Sequence, residues 1–321
     1  MNLIKIACWL TLPVVFSCNS PRSEKAQTSE KVRDAQLIDS IVIKDNVARI
    51  SNITVTGNAA LIVTNERENF IRAFSYPEFM NIDSTGTRGQ GPGEWVSVMT
   101  GQSDVAGEIP VYDIMNRLVR IASVNDSSLT VDDCCMLPVD DEGDALPYGN
   151  LIKLPDGHWL AKENDIRRSK LSVIDLTTGD EKATFIPQLE INDRIKGYPS
   201  DDYWIAESDG RVVVGYVQFE RIDVLNLTDL STIASIGEKS IFNKDKIYTI
   251  KAVAHDGRFY LLQSPEESGE GQIIRVVDCN GNEENPIRLT RPAYAIAFDA
   301  DGMLLAIEET PEANICFRYA L

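Results

Sequence analysis

The sequence predicts an all-β fold: a six-bladed β-propeller whose ring is closed by an N-terminal strand that completes the last blade. Three observations support this prediction. They are a repeated glycine hairpin, alternating strands after each hairpin, and one spare strand at the start of the domain. The sequence shows no long amphipathic helix and no alternation of helices with strands, which argues against the α/β classes.

The repeat consists of six segments in which a polar turn with glycine comes before an apolar, strand-like run. The spacings between successive glycines are 50, 50, 53, 47 and 45 residues, and the glycines are Gly57, Gly107, Gly157, Gly210, Gly257 and Gly302. A hairpin repeated at this period is typical of propeller blades, because one blade cannot bury both faces of its sheet without neighbours.

Further strands follow each hairpin, and apolar and polar residues alternate in most of them, as expected for blade strands. Third strands are predicted at residues 69–77, 117–125, 170–178, 221–229, 273–281 and 314–321. Fourth strands are predicted at residues 79–83, 128–133, 182–187, 232–237 and 285–289.

The sixth repeat ends at Leu321 with three strands and no fourth. Residues 37–45, LIDSIVIKD, have strand composition but belong to no complete repeat. This N-terminal segment is therefore predicted to supply the missing strand, which closes the ring and removes an unpaired sheet edge.

The N-terminus has the pattern of a secretion signal. Residues 6–16 form an apolar run of 11 residues after a short charged region, and this run is too short to span a bilayer. Ser17 and Cys18 follow it, as in a bacterial lipobox. Cys18 is therefore predicted to carry a lipid as the first mature residue. The alternative is an ordinary cleaved signal peptide with a chance cysteine.

The chain is accordingly divided into a signal peptide (1–17), a lipidated N-terminus with a flexible tether (18–35) and one propeller domain (36–321). The tether is assigned because this stretch is rich in Ser, Lys, Glu, Arg and Gln and poor in apolar groups. We expect a monomer in the cell envelope, facing the periplasm or on the surface of the outer membrane. Its lipid would be its only contact with the membrane.

The charge balance excludes one class of partner. The chain carries 49 acidic and 31 basic residues, a net charge of −18. Such a surface repels phosphate backbones, so nucleic acid is not expected to bind. An acidic surface is also a common means of keeping secreted domains dispersed.

Four cysteines remain in the predicted propeller domain. Cys134 and Cys135 are adjacent and are not expected to bond to each other without strain, since neighbouring side chains leave a strand on opposite faces. Cys279 and Cys316 fall on equivalent strands of neighbouring blades. The sequence is therefore compatible both with a disulfide between them and with two buried thiols. No C-x-x-C pair occurs, so no structural zinc site is expected.

Residues 87–95, TRGQGPGEW, connect the first blade to the second. Together with the lipobox and the repeat, they resemble the TolB-like six-bladed propeller family over residues 36–321. The G-x-G-P-G-E element of that family is matched by Gly89, Gly91, Pro92, Gly93 and Glu94, while Trp95 stands where Phe is common. The resemblance implies an envelope lipoprotein of a Gram-negative bacterium, without family-wide catalytic residues. NHL and YWTD propellers and gluconolactonase are similar more distantly.

Three other features are interpreted structurally. The GQGPGE element lacks the Gly-Lys-Ser/Thr ending of a phosphate-binding loop, so it is predicted to be a turn between blades. His158 and His255 each flank a repeat glycine on different blades and are predicted to be turn residues. An acidic run is predicted to be a solvated loop rather than a calcium site. It contains Asp140, Asp141, Glu142 and Asp144. No cofactor or metal is expected.

Aromatic residues provide the best site hypothesis. Tyr148, Tyr248 and Tyr294 each precede an innermost strand, and comparable connections on other blades hold Trp95 and Tyr203. In a propeller these connections lie on one rim of the central channel. Amphipathic rings there would form a recognition face, with three basic residues nearby, Arg88, Lys251 and Arg291. The alternative is that the rings pack between blades.

The sequence thus indicates a lipid-anchored binding or scaffolding module for an envelope protein, a small molecule or a glycan. The alternative is an enzyme of the gluconolactonase or propeller-lyase kind with a metal at the channel mouth. Asn150 and Asp202 are candidate oxygen ligands for such a metal, but the inner strands are mostly apolar and the two form no recognisable set.

Overall fold

The computed structural model describes residues 32–44, 47–125, 128–140, 142–164, 169–189, 202–242, 246–264 and 270–321. Within these ranges every regular element is a β-strand, and the strands form six sheets arranged as the blades of a β-propeller. Lys31–Leu321 forms one compact unit. No helix in the described residues is long and apolar enough to cross a membrane. The predicted fold class is confirmed.

Each blade contains four strands, ordered from the central channel outward. Blade 1 contains Ile50–Thr56, Ala59–Thr64, Glu68–Ser75 and Asn81–Thr87. Blade 2 contains Met99–Thr100, Glu108–Asp113, Leu118–Asn125 and Ser128–Met136. Blade 3 contains Tyr148–Lys153, Trp159–Glu163, Lys170–Ile174 and Glu181–Phe185. Blade 4 contains Tyr203–Ser208, Arg211–Tyr216, Phe219–Asn226 and Thr232–Phe242. Blade 5 contains Lys251–His255, Arg258–Gln263, Gly271–Asp278 and Ile287–Ala293. Blade 6 contains Ala295–Phe298, Leu304–Glu309, Asn314–Ala320 and Gln36–Ile43.

The repeated glycine lies in the tight turn between the two innermost strands of each blade. All six repeat glycines have positive φ, between 48° and 86°. Residues with a Cβ rarely adopt this conformation, which explains why glycine recurs there. At Gly107 the turn also packs closely, because a Cβ would lie 2.6 Å from Cγ2 of Thr56 on the preceding blade.

The N-terminal strand closes the ring. Gln36–Ile43 pairs antiparallel with Asn314–Ala320 and forms the outer edge of blade 6. Asp39 and Arg318 form an ion pair across this junction. The chain joins the fold earlier than predicted, since Arg33–Asp34 pairs in parallel with the outer strand of blade 5. The predicted tether, residues 18–35, therefore includes a short paired strand at Arg33–Asp34.

Blade 2 departs from the simple repeat at its inner strand. Met99–Thr100 pairs within blade 2, but Gln102–Ser103 leaves it and pairs in parallel with Tyr148–Lys153 of blade 3. A Cβ at Gly101, where the chain changes blade, would lie 2.3 Å from the backbone oxygen of Leu151. Glycine therefore permits the chain to cross from one inner strand to the next.

In the described part of the chain, the buried hydrophobic residues form six clusters, one at each contact between adjacent blades. The clusters explain why the blade strands are apolar on both faces, since each sheet is covered on two sides. Polar side chains that face the central channel therefore stand out from the rest of the inner strands.

Candidate functional site

The lipid attachment site lies outside the described residues. Cys18, the signal peptide and nearly all of the tether belong to that part of the chain. Lipidation of Cys18 stays a prediction from the sequence.

The five aromatic residues predicted at the rim are buried. Their exposed fractions are 2–6%, and they are Trp95, Tyr148, Tyr203, Tyr248 and Tyr294. Four of them lie within the clusters between blades. The expectation that these rings present polar ends to solvent as a common face is therefore wrong, because burying a large ring between two sheets removes more apolar surface from water. The alternative interpretation, packing between blades, describes the four rings that lie in these clusters.

Tyr294 shows what such a ring does instead. Its hydroxyl accepts a hydrogen bond from the Ile50 backbone N–H at 3.0 Å and donates one to Oδ1 of Asn314 at 2.7 Å. These contacts join blade 6 to blade 1. Burial raises the pKa of Tyr294 above its usual value.

Two of the three predicted basic residues are occupied by structural contacts. Arg88 donates to the backbone oxygens of Glu66 and Thr64 at 2.9 and 3.1 Å. Arg291 forms a two-pronged ion pair with Glu308 at 3.1 and 2.8 Å. Neither arginine lines the cavities of the central channel described below. The third residue, Lys251, does.

The central channel contains a cavity at each end. The cavity at the end where the inner strands begin, here called the start-side cavity, has a volume of about 340 Å³. The opposite one, the end-side cavity, has about 320 Å³. Four residues line both cavities and so mark the waist of the channel: Asn52, Gly101, Gln102 and Lys251.

The waist is held by the chain that crosses between blades 2 and 3. Nδ2 of Asn52 donates to the backbone oxygen of Gly101 at 2.6 Å. Nε2 of Gln102 donates to the backbone oxygen of Ile205 on blade 4 at 3.0 Å. These hydrogen bonds hold the Gly101 backbone and the amide groups of Asn52 and Gln102 in place between the two cavities.

Lys251 begins the inner strand of blade 5, and the residue is 7% exposed. Its Nζ lies 5.0 Å from the centre of the Trp204 ring on blade 4. This Nζ has no hydrogen bond and no ion pair with any of the described residues. Burial lowers the pKa of Lys251 to about 8, since a low-dielectric site disfavours the charged amine. Lys251 is thus a buried amine directed at the channel.

Asn150 is a second buried polar group on the start-side cavity. It is 6% exposed, and its Oδ1 has no hydrogen-bond partner in the described part of the chain. Asp202, the other oxygen ligand suggested by the sequence, instead forms an ion pair with Lys162. Within the described residues, no group of three or more His, Cys, Asp and Glu side chains is arranged to hold a metal ion.

The two histidines lie in different surroundings. His158 lies beside Asp156 in a turn, with 3.0 Å between Nδ1 and Oδ2. His255 ends the inner strand of blade 5 and stacks on Phe298 with ring centres 4.3 Å apart. It lines the end-side cavity, which its position beside a repeat glycine did not indicate.

The glycine-rich element is a structural turn, as predicted. It joins the outer strand of blade 1 to blade 2, and the backbone N–H of Gly91 donates to Oε2 of Glu94 at 2.7 Å. A Cβ at Gly89 would lie 2.0 Å from the same oxygen. The glycines therefore make room for the Glu94 carboxylate within the turn.

The cysteines of the propeller are free thiols. Cys316 is buried in the cluster between blades 6 and 1, whereas Cys279 packs on the cluster between blades 4 and 5. This separation explains why Cys279 and Cys316 are not paired.

Trp204 is one of the site residues that the sequence analysis missed, together with Asn52 and Gln102 of the waist. Tyr203 and Trp204 are neighbours on one strand, so their side chains point to opposite faces of the sheet. Tyr203 packs towards blade 3, and Trp204 packs towards blade 5 and lines the start-side cavity. The sequence signal that could have identified Trp204 is the alternation of side chains between the two faces of a strand.

Comparison with solved structures finds β-propellers. The WD40 repeats of RRP9 match with a TM-score of 0.56 at 11% identity, over 90% of this chain and 100% of that one. A candidate exported protein from Bacteroides fragilis matches with 0.53 at 14%, over 89% and 95%. Virginiamycin B lyase from Staphylococcus aureus matches with 0.51 at 11%, over 90% and 100%. At these identities the likeness shows the fold alone.

No protein-family model matches the chain, and no curated protein matches it. The resemblance to the TolB-like family therefore rests on the sequence features quoted above.

Proposed function

We propose that the protein is a lipid-anchored, TolB-like binding module of the cell envelope that takes a small ligand into the start-side cavity. One observation carries the proposal: this cavity of about 340 Å³ is lined by Asn150, whose buried Oδ1 has no hydrogen-bond partner in the described residues, and by Lys251, whose Nζ has no hydrogen bond or ion pair with a described residue. Buried polar groups are normally satisfied. A ligand would satisfy both.

The position of the cavity fits this role. It lies at the mouth of the channel where six inner strands converge, and concave sites with a few convergent polar groups are the usual ligand sites of proteins. Trp204 supplies an apolar wall beside the amine. The site draws residues from several blades, so the fold holds them in fixed relative positions.

The anchor and the location come from the sequence. An 11-residue apolar run followed by Ser17 and Cys18 supports secretion and lipidation, and a polar stretch after it supports a tether. A propeller held in this way would bind its ligand at the envelope. We place binding ahead of catalysis because no carboxylate, histidine or cysteine is among the described residues that line the start-side cavity.

The proposal is tested by ligand retention. The full chain, purified in detergent, is mixed with a small-molecule extract of cells that produce it, separated by gel filtration and analysed by mass spectrometry. Asn65 is exposed and lines the start-side cavity, so Asn65→Trp places a bulky ring at the mouth. Met115 is 70% exposed and lines neither channel cavity, so Met115→Trp is the matched control.

We expect a compound that the wild-type protein and Met115→Trp retain and that Asn65→Trp does not. Retention of no compound, or equal retention by Asn65→Trp, would contradict the proposed function.

A further inference from the structure

We infer that the start-side cavity recognises its ligand through a carboxylate, with the ammonium group of Lys251 as the counter-ion. This inference rests on the proposed function and assigns a chemical class to the ligand. It is carried by the geometry around Lys251 and Asn150.

Lys251 is the cation of the waist that lacks a counter-ion in the described structure. The other charged residue on the start-side cavity, Arg49, is paired with Glu309 at 3.0 Å. On the end-side cavity, Glu108 is paired with Lys153 at 3.0 Å and Asp299 accepts from the Tyr76 hydroxyl at 2.6 Å. Each of these groups already has a partner of its own.

Two other titratable groups line the end-side cavity, Asp104 and His255. Asp104 is exposed, and His255 is stacked on Phe298. Lys251 has no ion pair or hydrogen bond with either of these two described residues. The amine of Lys251 is therefore held chiefly by the face of the Trp204 ring, which leaves its hydrogen-bond donors directed at the cavities.

An anion of one charge matches this arrangement better than a dianion. Lys251 is the one unpaired cation that the described residues place at the waist, and the whole chain carries a net charge of −18. A phosphate would bring a second negative charge without a partner, whereas a carboxylate brings one. A carboxylate also accepts hydrogen bonds at two oxygens, so it can accept from an ammonium and an amide together.

Asn150 adds a further requirement. Its buried Oδ1 is an acceptor without a donor in the described chain. A ligand that carries a hydroxyl or N–H group besides its carboxylate would supply that donor. The inferred class is therefore a small carboxylic acid with an additional hydrogen-bond donor.

The test measures the pKa of Lys251 with and without small acids. The amines of the full chain are reductively methylated with ¹³C-formaldehyde and titrated by NMR. The Lys251 signal is identified as the one lost in both Lys251→Met and Lys251→Arg, so the assignment does not depend on one variant. The probes are acetate and lactate, with lactamide as the neutral match and sodium chloride at equal ionic strength as the control.

We expect saturating acetate or lactate to raise the pKa of Lys251 by about 1, because an adjacent anion favours the charged amine. Lactate should act at a lower concentration than acetate, because its hydroxyl can donate to Asn150. Lactamide and chloride should leave the pKa unchanged. No rise with either acid, or an equal rise with lactamide, would overturn the inference, and equal potency of the two acids would overturn the donor requirement.

The outcome is separable from that of the ligand-retention test. If Asn65→Trp abolishes retention while neither acid changes the pKa of Lys251, the proposed function stands and the carboxylate inference falls. If no compound is retained and no pKa changes, both fall.

Discussion

The Nζ atom of Lys251 lies 5.0 Å from the centre of the Trp204 ring, and the two side chains come from the inner strands of adjacent blades. A contact of this kind contributes about 0.5–2 kcal/mol. Burial of an ammonium group without a counter-ion costs more than that. The pair therefore leaves a net cost at the waist of the channel, which a ligand can offset.

Lys251→Met should stabilise the free protein. The variant keeps an apolar stem in a buried site and removes the uncompensated charge, so the free energy of unfolding should rise by about 1–3 kcal/mol at pH 7. Denaturant unfolding measures the change. Lys44→Met, at an exposed position, is the control and should change stability little. A clearly destabilised Lys251→Met would mean that the amine has a structural partner.

The advantage of Lys251→Met should depend on pH. The pKa of Lys251 is about 8 in the folded protein and about 10.4 in an unfolded chain. Between these values the unfolded chain binds more protons, so the stability of the wild type increases with pH relative to the variant. The difference between the two proteins should be largest at pH 7 and small near pH 10. A constant difference across this range would contradict the lowered pKa.

Two repeat glycines separate backbone strain from crowding. Gly157 has a φ of 86° and open space where a Cβ would lie, whereas a Cβ at Gly107, with a φ of 82°, would meet Thr56 at 2.6 Å. Gly157→Ala should cost about 1–2 kcal/mol from the left-handed backbone alone, and Gly107→Ala should cost more. Equal losses, measured by denaturant unfolding, would show that the packing at Gly107 is not tight.

Deletion of residues 36–45 should abolish cooperative unfolding. It removes Gln36–Ile43, exposes the edge of Asn314–Ala320 and uncovers apolar surface between blades. Scanning calorimetry should show no sharp transition, or the protein should aggregate. Deletion of residues 20–29 in the predicted tether is the control and should leave the transition intact. A truncated protein as stable as the parent would mean that the strand does not hold the ring closed.

Cys18→Ser should release the protein from membranes. The lipid prediction places the whole membrane contact at this residue, so the variant should move to the aqueous phase in a detergent phase-separation experiment while the wild type stays in the detergent phase. A variant that remains with the detergent would refute lipidation at Cys18.

Much of the fold could be predicted because its signals are local. Each glycine marks a turn that requires positive φ, and the interval between glycines equals one blade. The closing strand was also predictable, since the last repeat lacked a strand and the N-terminus had one to spare. The crossing at Gly101 could not be predicted, because it depends on pairing with Tyr148–Lys153, a strand that is distant in sequence.

The site was predicted only in part. Lys251, one of the residues expected near the rim, lines the start-side cavity, whereas the five aromatic residues expected there are buried. A position at the start of an inner strand fixes the distance from the rim, and it does not fix which face of the sheet a side chain occupies. Tyr203 and Trp204 show the consequence, since the first lies between blades and the second lines the cavity.

The most direct test of the account is a crystal structure of the full chain with the compound that it retains from cell extract. The account predicts electron density for that compound in the start-side cavity, with an acidic group in contact with Nζ of Lys251. Density at the outer faces of the blades instead, or a start-side cavity in which a carboxylate of the protein itself pairs with Lys251, would contradict it.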